Sequence, residues 1–560
     1  MPEAARPWVD GLTFAEALER TVARCGSCDA LVFPELGYRR TYREFHADVR
    51  DAARALMALG AQRGEHVGIW ATNWPEWVIL QFATACIGTP LVNINPAYRA
   101  RELEYVLRQA DITTLFLTDR FKTSGYFEIL ASVCPELKDG RVGELRIEKC
   151  PKLKRVVSIK KERGPGMLNW EEFRQLASQV SLEDLERRQA EARFDEVANI
   201  QYTSGTTGFP KGAQLTYRNV LMNAYYIGRR LNFSEADRLC LPVPFYHCFG
   251  CVLGTLLCSL YGAAIVAPAE GFDARATLEA IQAERCTGIY GVPTMFIAEL
   301  NHPDFASFDL SSLRTGIMAG SPCPIEVMRK VVDVMGAREI TIAYGLTESS
   351  PVITQTETTD SLENRVTTVG KPLPGLAVKI VEPGTLDPVR VGEQGELLVH
   401  GHSVMVGYYN EPQATADAIT EDGWLHSGDL AVETDDGFYK ITGRIKEMIV
   451  RGGENVYPRE IEEFLFRHAK IADAYVVGLP DEKFGEEISA WVQLKEGELL
   501  SADEVRDFCR GSIAHYKIPR YVFFVDEYPK TVTGKIQKFK LREEGIKTLG
   551  LEIAADIETA

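Results

Sequence analysis

A chain of 560 residues is too long for one ordinary core, and a hydrophobic share of 45% is that of a soluble globular protein, so several packed units are expected. A formal net charge of −17 argues against a nucleic-acid partner bound regardless of sequence, which needs a strong basic face. The 12 cysteines, with no charged-then-apolar leader and no run of about 18 apolar residues, point to reduced core thiols in a cytoplasmic protein without a transmembrane segment.

Thr13 and Glu16 form a capping box ahead of apolar residues at helical spacing, so the first helix starts there. Residues 51–59 are helical, 66–70 a short buried strand, 76–85 a helix and 91–94 a strand. Beyond Asn95-Pro96, Leu103, Val106, Leu107 and Ala110 share one helical face, and 112–117 returns to strand. This alternation predicts an α/β fold with mostly parallel sheets covered by helices. Residues from about 135 to 195 are more charged and less periodic and read as a connector with short helices. Strand character at 199–202 is followed by helical character over 212–231 and by an irregular, proline- and aromatic-rich path at 241–250 that borders a pocket. A second α/β unit then covers roughly 200–350, through strand-like 263–266, helical 274–284, strand-like 288–290 and a helix from Pro293.

From Val369 the pattern changes to short β runs at 377–381, 395–400 and 437–442, which predict a small barrel-like or curled sheet. After 444–446 a small α+β unit begins, with Pro458 at a helix start, Ile461, Phe464 and Leu465 on its apolar face, and strands at 474–477 and 488–494. The expected division is a large domain over 1–444, with its β-rich part at about 365–442, and a mobile domain over 445–560. Cys25-x-x-Cys28 and Cys248-x-x-Cys251 each offer half a zinc site without a second half nearby.

Between 203 and 212 the chain reads Thr-Ser-Gly-Thr-Thr-Gly-Phe-Pro-Lys-Gly. Such glycines let successive N–H groups converge on an anion, the hydroxyls donate to phosphate oxygens, and Lys211 adds a full charge. A plain surface loop has the same composition. The order of residues excludes two familiar phosphate loops: Pro210 precedes Lys211 and Gly212 follows it, unlike a Walker loop, and Gly205 and Gly208 are wrongly spaced for a dinucleotide fingerprint.

Four further stretches carry chemistry. Tyr344-Gly-Leu-Thr-Glu348 offers a ring, a hydroxyl and a carboxylate, Ala319-Gly320-Ser321 ends a strand-like run, Trp424-Leu-His-Ser-Gly-Asp429 holds one acid after glycine, and Thr-Gly-Lys535 puts a lysine behind a turn. Each alone also reads as an ordinary turn, cap or solvated charge. Together with Gly443-Arg-Ile-Lys-Glu-Met-Ile-Val-Arg-Gly-Gly-Glu-Asn-Val-Tyr-Pro458 and the 203–212 loop, they resemble, in order, the motifs of the adenylate-forming superfamily of acyl-CoA synthetases, luciferases and peptide-synthetase adenylation domains. The resemblance runs from about residue 10 to residue 545.

The resemblance implies roles. Thr203, Ser204, Gly205, Thr206, Thr207, Gly208, Phe209, Pro210 and Lys211 would grip the β- and γ-phosphates of ATP. Gly320, Ser321, Tyr344 and Gly345 would bound the adenine, Thr347 would contact the α-phosphate, and Glu348 would hold Mg²⁺, a hard cation suited to carboxylate oxygen. Asp429 would take the ribose diol, with Arg444 on ribose and phosphate. Lys446 would be the hinge, Gly452 and Gly453 would line the channel for the pantetheine arm of coenzyme A, and Lys535 would bridge the substrate carboxylate and α-phosphate. His247 joins the catalytic set, as a packing and gating group at the acyl pocket more than a proton carrier.

Within the superfamily, Asn95-Pro-Ala-Tyr-Arg-Ala-Arg-Glu-Leu-Glu-Tyr-Val-Leu, Pro-Phe-Tyr-His-Cys-Phe-Gly and Gly-Lys-Ile-Gln-Lys-Phe-Lys-Leu-Arg look most like the medium-chain fatty acyl-CoA ligase branch. Amino-acid-activating relatives carry an aspartate where this chain has Cys248, Phe249 and Gly250, which points to an acid without an α-amine. The implied activity is ATP-dependent, AMP-forming ligation of a fatty acid to CoA through an acyl-adenylate. An aryl-CoA ligase, an acyl-AMP ligase loading a carrier protein, and a non-enzymatic nucleotide-sensing scaffold remain as alternatives, and a homodimer stays open.

Overall fold

The computed structural model describes residues 6–203, 210–321, 323–452, 454–481, 483–532 and 534–551. Two large sheets organise most of the chain. One has nine strands in the order Lys371–Pro372, Val352–Gln355, Glu339–Gly345, Thr315–Ala319, Gly288–Gly291, Arg238–Cys240, Ala264–Val266, Asp29–Phe33 and Tyr38–Thr41, parallel from Glu339–Gly345 to Asp29–Phe33 and antiparallel at the rims. The other has seven, ordered Gly407–Tyr408, Lys211–Thr216, Val197–Thr203, Leu91–Asn93, His66–Trp70, Ile112–Leu117 and Arg155–Ser158, parallel from the third strand onward. Buried on both faces, the central parallel strands read as near-continuous apolar runs, which is why 66–70 and 112–117 were legible.

Three local expectations need correction. The second helix runs Tyr42–Ala58, nine residues earlier than its apolar pattern suggested, because Thr41 and Glu44 form a capping box. Residues 212–216, read as the start of a helix, belong to the strand Lys211–Thr216 paired with Val197–Thr203, with Lys211 opposite Thr203; the helix begins at Tyr217, where Thr216 caps it. The charged connector hides the buried strand Arg155–Ser158, whose Arg155 is neutralised by Glu65 at 2.9 Å.

The β-rich stretch is a four-stranded antiparallel sheet of Leu376–Val381, Gln394–Gly401, Leu425–Glu433 and Tyr439–Arg444. Its Leu397, Val399, Leu425 and Tyr439 belong to the same apolar cluster as Phe45, Trp77, Tyr217 and Phe245 of the α/β part. Beyond it, Glu454–Val456, Ile449–Arg451, Gly485–Leu494 and Ile471–Asp481 form another sheet, to which Tyr521–Phe524 adds in parallel. The clusters around Ile461, Val476, Ile488 and around Leu479, Trp491, Leu541 draw only on residues from 449 onward. No described helix is long and apolar enough to cross a membrane.

Candidate functional site

The site lies where strands end, the usual place for a ligand crevice in α/β sheets. Thr203 closes one strand of the seven-stranded sheet and Lys211 opens its antiparallel neighbour, the two residues lying opposite each other in the ladder. Ser204, Gly205, Thr206, Thr207, Gly208 and Phe209 lie outside the described residues; Thr203, Pro210 and Lys211 frame them. In the nine-stranded sheet, Gly320 follows the strand Thr315–Ala319 and Gly345 ends the adjacent strand Glu339–Gly345. Gly320 has φ +91°, a left-handed angle that favours glycine, and Ser321 continues the turn.

Glu348 sits in the turn Thr347–Ser349 directly after that strand. Its Oε1 accepts the Thr203 hydroxyl at 3.3 Å and the Tyr408 hydroxyl at 2.7 Å, tying the two sheets together at the loop. The Lys211 ammonium stands 5.2 Å from the centre of the Tyr408 ring. Tyr408 was absent from the sequence-derived set, and its place came only from strand pairing: Tyr408 lies opposite Ala213 at the sheet edge, 60 residues from Glu348.

Asp429 and Arg444 face each other across the antiparallel ladder of the small sheet. The Arg444 guanidinium lies 2.9 Å from Oδ1 of Asp429, and the Tyr344 hydroxyl donates to Oδ2 at 2.7 Å. Burial pushes the Asp429 carboxyl above its ordinary pKa, with Arg444 and Tyr344 pulling it back; the Asp429 charge holds the Arg444 pKa up. A residue expected at the adenine and two expected at the ribose and phosphate thus form one hydrogen-bonded group.

His247 precedes the three-residue helix Cys248–Gly250, and its Nδ1 accepts the Phe249 N–H at 3.1 Å. Burial, with the charge of Lys535 adding to it, pushes its pKa down to about 3, so the imidazole is neutral at physiological pH. The Cys248 thiol contacts Thr347 Oγ1 at 3.7 Å, and the chain continues into a buried π-helical turn, Cys251–Leu256.

Lys535 reaches this cleft from the far end of the chain. Its backbone closes a tight turn with Thr531, whose N–H donates to the Lys535 carbonyl at 2.8 Å. Gly534 in that turn packs so closely on the opposing unit that an added Cβ would lie 2.9 Å from Val292 and 3.0 Å from Thr294. Burial lowers the Lys535 pKa, Arg444 lowers it further, and the Asp429 and Glu348 carboxylates oppose them; burial pushes the nearby Cys248 thiol up to about 11, so it stays uncharged. Lys446 lies in the turn Ile445–Glu447 between the small sheet and the final unit, where Lys538 pairs with Glu447 and Glu462, each at 2.9 Å. Gly452 has φ +60° in the hairpin of Ile449–Arg451 with Glu454–Val456, and its N–H donates to Phe484 O at 2.7 Å; Gly453 lies outside the described residues.

The acidic and hydroxyl oxygens at Glu348 and Thr203 suit Mg²⁺, which takes one or two carboxylates and completes its shell with phosphate and water oxygens. Among the described residues no group of three or more His, Cys, Asp or Glu offers an all-protein cage.

Residues 18–409 match the family of AMP-binding enzymes, and residues 460–535 match the AMP-binding enzyme C-terminal domain. The putative acyl-CoA synthetase YngI of Bacillus subtilis (strain 168) is 51% identical over 96% of this chain and 98% of its own. The mitochondrial medium-chain acyl-CoA ligase ACSF2 of Danio rerio is 46% identical over 96% of this chain and 89% of its own. Among solved structures, the anthranilate CoA ligase AuaEII in complex with anthranoyl-AMP superposes with a TM-score of 0.85 at 27% identity, covering 96% of this chain and 98% of that one.

Proposed function

Because this chain belongs to the family of AMP-binding enzymes, we propose that it is an ATP-dependent, AMP-forming acyl-CoA synthetase, an acid–thiol ligase whose acid is a medium-chain fatty acid. The observation that carries the proposal is the convergence of Glu348, Asp429–Arg444, Cys248 and Lys535 on one cleft, within a chain whose relatives at 51% and 46% identity bear acyl-CoA synthetase and medium-chain ligase names. An aryl acid is disfavoured because the relatives at 51% and 46% identity bear acyl-CoA synthetase and medium-chain acyl-CoA ligase names, whereas the anthranilate ligase shares 27%.

A carboxylate is a poor electrophile, so it must be activated before a thiol can take its acyl group. In the first half-reaction the substrate carboxylate oxygen attacks the α-phosphorus of ATP, the bond to the bridging oxygen breaks, and pyrophosphate leaves. Catalysis here is mainly positioning and charge stabilisation. Lys211 and the loop it closes grip the β- and γ-phosphates, Thr347 meets the α-phosphate, and Lys535 bridges carboxylate and α-phosphate. Tyr344, Gly320, Ser321 and Gly345 bound the adenine, and Asp429 with Arg444 takes the ribose. Mg²⁺, held by Glu348, supplies charge neutralisation on the phosphate oxygens when bound. Neutral His247 caps and shapes the acyl wall. In the second half-reaction the CoA sulfur attacks the acyl carbon, AMP departs with the electron pair, and the thiol proton is lost. For this step we propose rotation about Lys446, which withdraws Lys535 and brings the Gly452–Gly453 hairpin to the cleft.

Pyrophosphate release measured over fatty acids of increasing length and over aryl acids tests the acid class. An optimum among medium chains is expected; an optimum among aryl acids overturns the assignment. Replacing CoA by a carrier protein as acceptor tests the thiol, and transfer to the carrier alone would refute free CoA.

A further inference from the structure

Glu348 and Lys211 are opposite charges at the mouth of one loop, yet no ion pair joins them among the described residues; the Tyr408 ring stands between. Its hydroxyl holds Glu348 at 2.7 Å, while its face meets the Lys211 ammonium at 5.2 Å from the ring centre. We propose that Tyr408 is a positioning residue for the adenylation half-reaction, reserving the Glu348 carboxylate for the metal ion and the Lys211 ammonium for the polyphosphate by preventing the two from neutralising each other. The proposal rests on the metal-ligand role proposed for Glu348.

The backbone around Tyr408 is tied from every side. Val406 N–H donates to Gln214 O at 3.0 Å and Tyr409 N–H to Gly212 O at 2.8 Å, so the segment is laced to the strand that begins with Lys211. Met405 N–H donates to the carbonyl of Glu348 itself at 2.9 Å, and Tyr408 N–H donates to Thr415 Oγ1 at 2.9 Å. The ring therefore has a fixed root on both the lysine strand and the glutamate turn. Among the described residues, both side-chain hydrogen bonds to Glu348, from Tyr408 and Thr203, run to Oε1. Neither uses Oε2, which leaves that oxygen for a hard cation. A phenol suits the task because it donates to the carboxylate without bringing charge, and its π face attracts the ammonium without consuming it in an ion pair. This is the usual way an outer partner orients a metal-binding carboxylate.

The test is Tyr408→Phe, which keeps the ring and removes the hydroxyl. Binding of Mn²⁺ in the presence of ATP, without any carboxylic acid, is followed by the electron paramagnetic resonance signal of the free ion. The variant is expected to bind Mn²⁺ about tenfold more weakly or worse, the scale for losing an outer-shell partner, while its melting temperature without ligands stays within the scatter of the parent. Glu348→Gln serves as the reference. If Glu348→Gln weakens Mn²⁺ binding and Tyr408→Phe leaves it unchanged, the positioning role is refuted while the metal role of Glu348 stands. If neither changes it, the metal role falls and the positioning role with it.

Discussion

Lys535 carries a charge into a place that resists it, since burial and Arg444 both work against its protonation while Asp429 and Glu348 offset them. Lys535→Ala should therefore slow adenylation by roughly 10²-fold or more, the loss typical of one preorganised charge-stabilising donor, and should spare thioester formation from supplied acyl-adenylate. Single-turnover assays of the two halves decide, and equal losses would remove the division of labour. His247, with its pKa pushed down to about 3 against an ordinary 6.5, is already neutral well below physiological pH. The rate of adenylation should show no histidine-like inflection between pH 5 and 8, and the pH profile of His247→Gln should run parallel to that of the parent. Glu299 is a different case: it is 1% exposed, neither carboxylate oxygen has a hydrogen-bond partner among the described residues, and burial raises its pKa well above 4.5. A carboxyl with a raised folded pKa holds its proton more tightly in the folded state, so its contribution is full below the unfolded value and is lost as pH rises through the folded one. Glu299→Met should stabilise the protein by on the order of 1–3 kcal/mol, the cost of a buried unsatisfied polar group. Its advantage in melting temperature should widen as pH rises from 4.5.

At the scale of elements, the site is a matter of register. Asp429 meets Arg444 because those positions are opposite in the ladder, and Tyr408 meets Glu348 because its strand pairs with the one that starts at Lys211. Elements remote from the cleft should act on stability alone. Thr41→Ala removes the cap of the helix Tyr42–Ala58 and should cost about 1 kcal/mol, read by denaturant unfolding, with pyrophosphate release unchanged. The same elements mark what the sequence makes legible. Parallel strands such as Ile112–Leu117 announce themselves because both faces are buried, whereas Arg155–Ser158 is masked by an arginine whose partner, Glu65, lies 90 residues away. Residues 212–216 looked helical because their apolar spacing merges with that of the following helix, and the cap at Thr216 marks the break. Local motifs brought out Lys211, Glu348, Asp429 and Lys535 as candidates. Tyr408 has no local signal, since its meaning comes from pairing between strands distant in sequence.

For the whole molecule, the telling contact is the turn that carries Lys535. Gly534, at φ +81°, leaves no room for a side chain against Val292 and Thr294. Gly534→Val should keep the final unit folded but push its turn off the cleft. Adenylation should fall while thioester formation from supplied acyl-adenylate persists, measured by rapid quench; a loss confined to the second half would contradict this placement. Among the described residues, the final unit's apolar clusters draw on no residue before Ile449, and the three clusters of the large part draw on none of theirs. Its displacement would therefore break the Gly534 packing and draw Lys535 out of the cleft while leaving each apolar interior sealed. Heating should expose the same partition as two calorimetric transitions, and a ligand that must be gripped from both sides should draw them together, so that the gap between the peaks becomes a gauge of how firmly the cleft is shut.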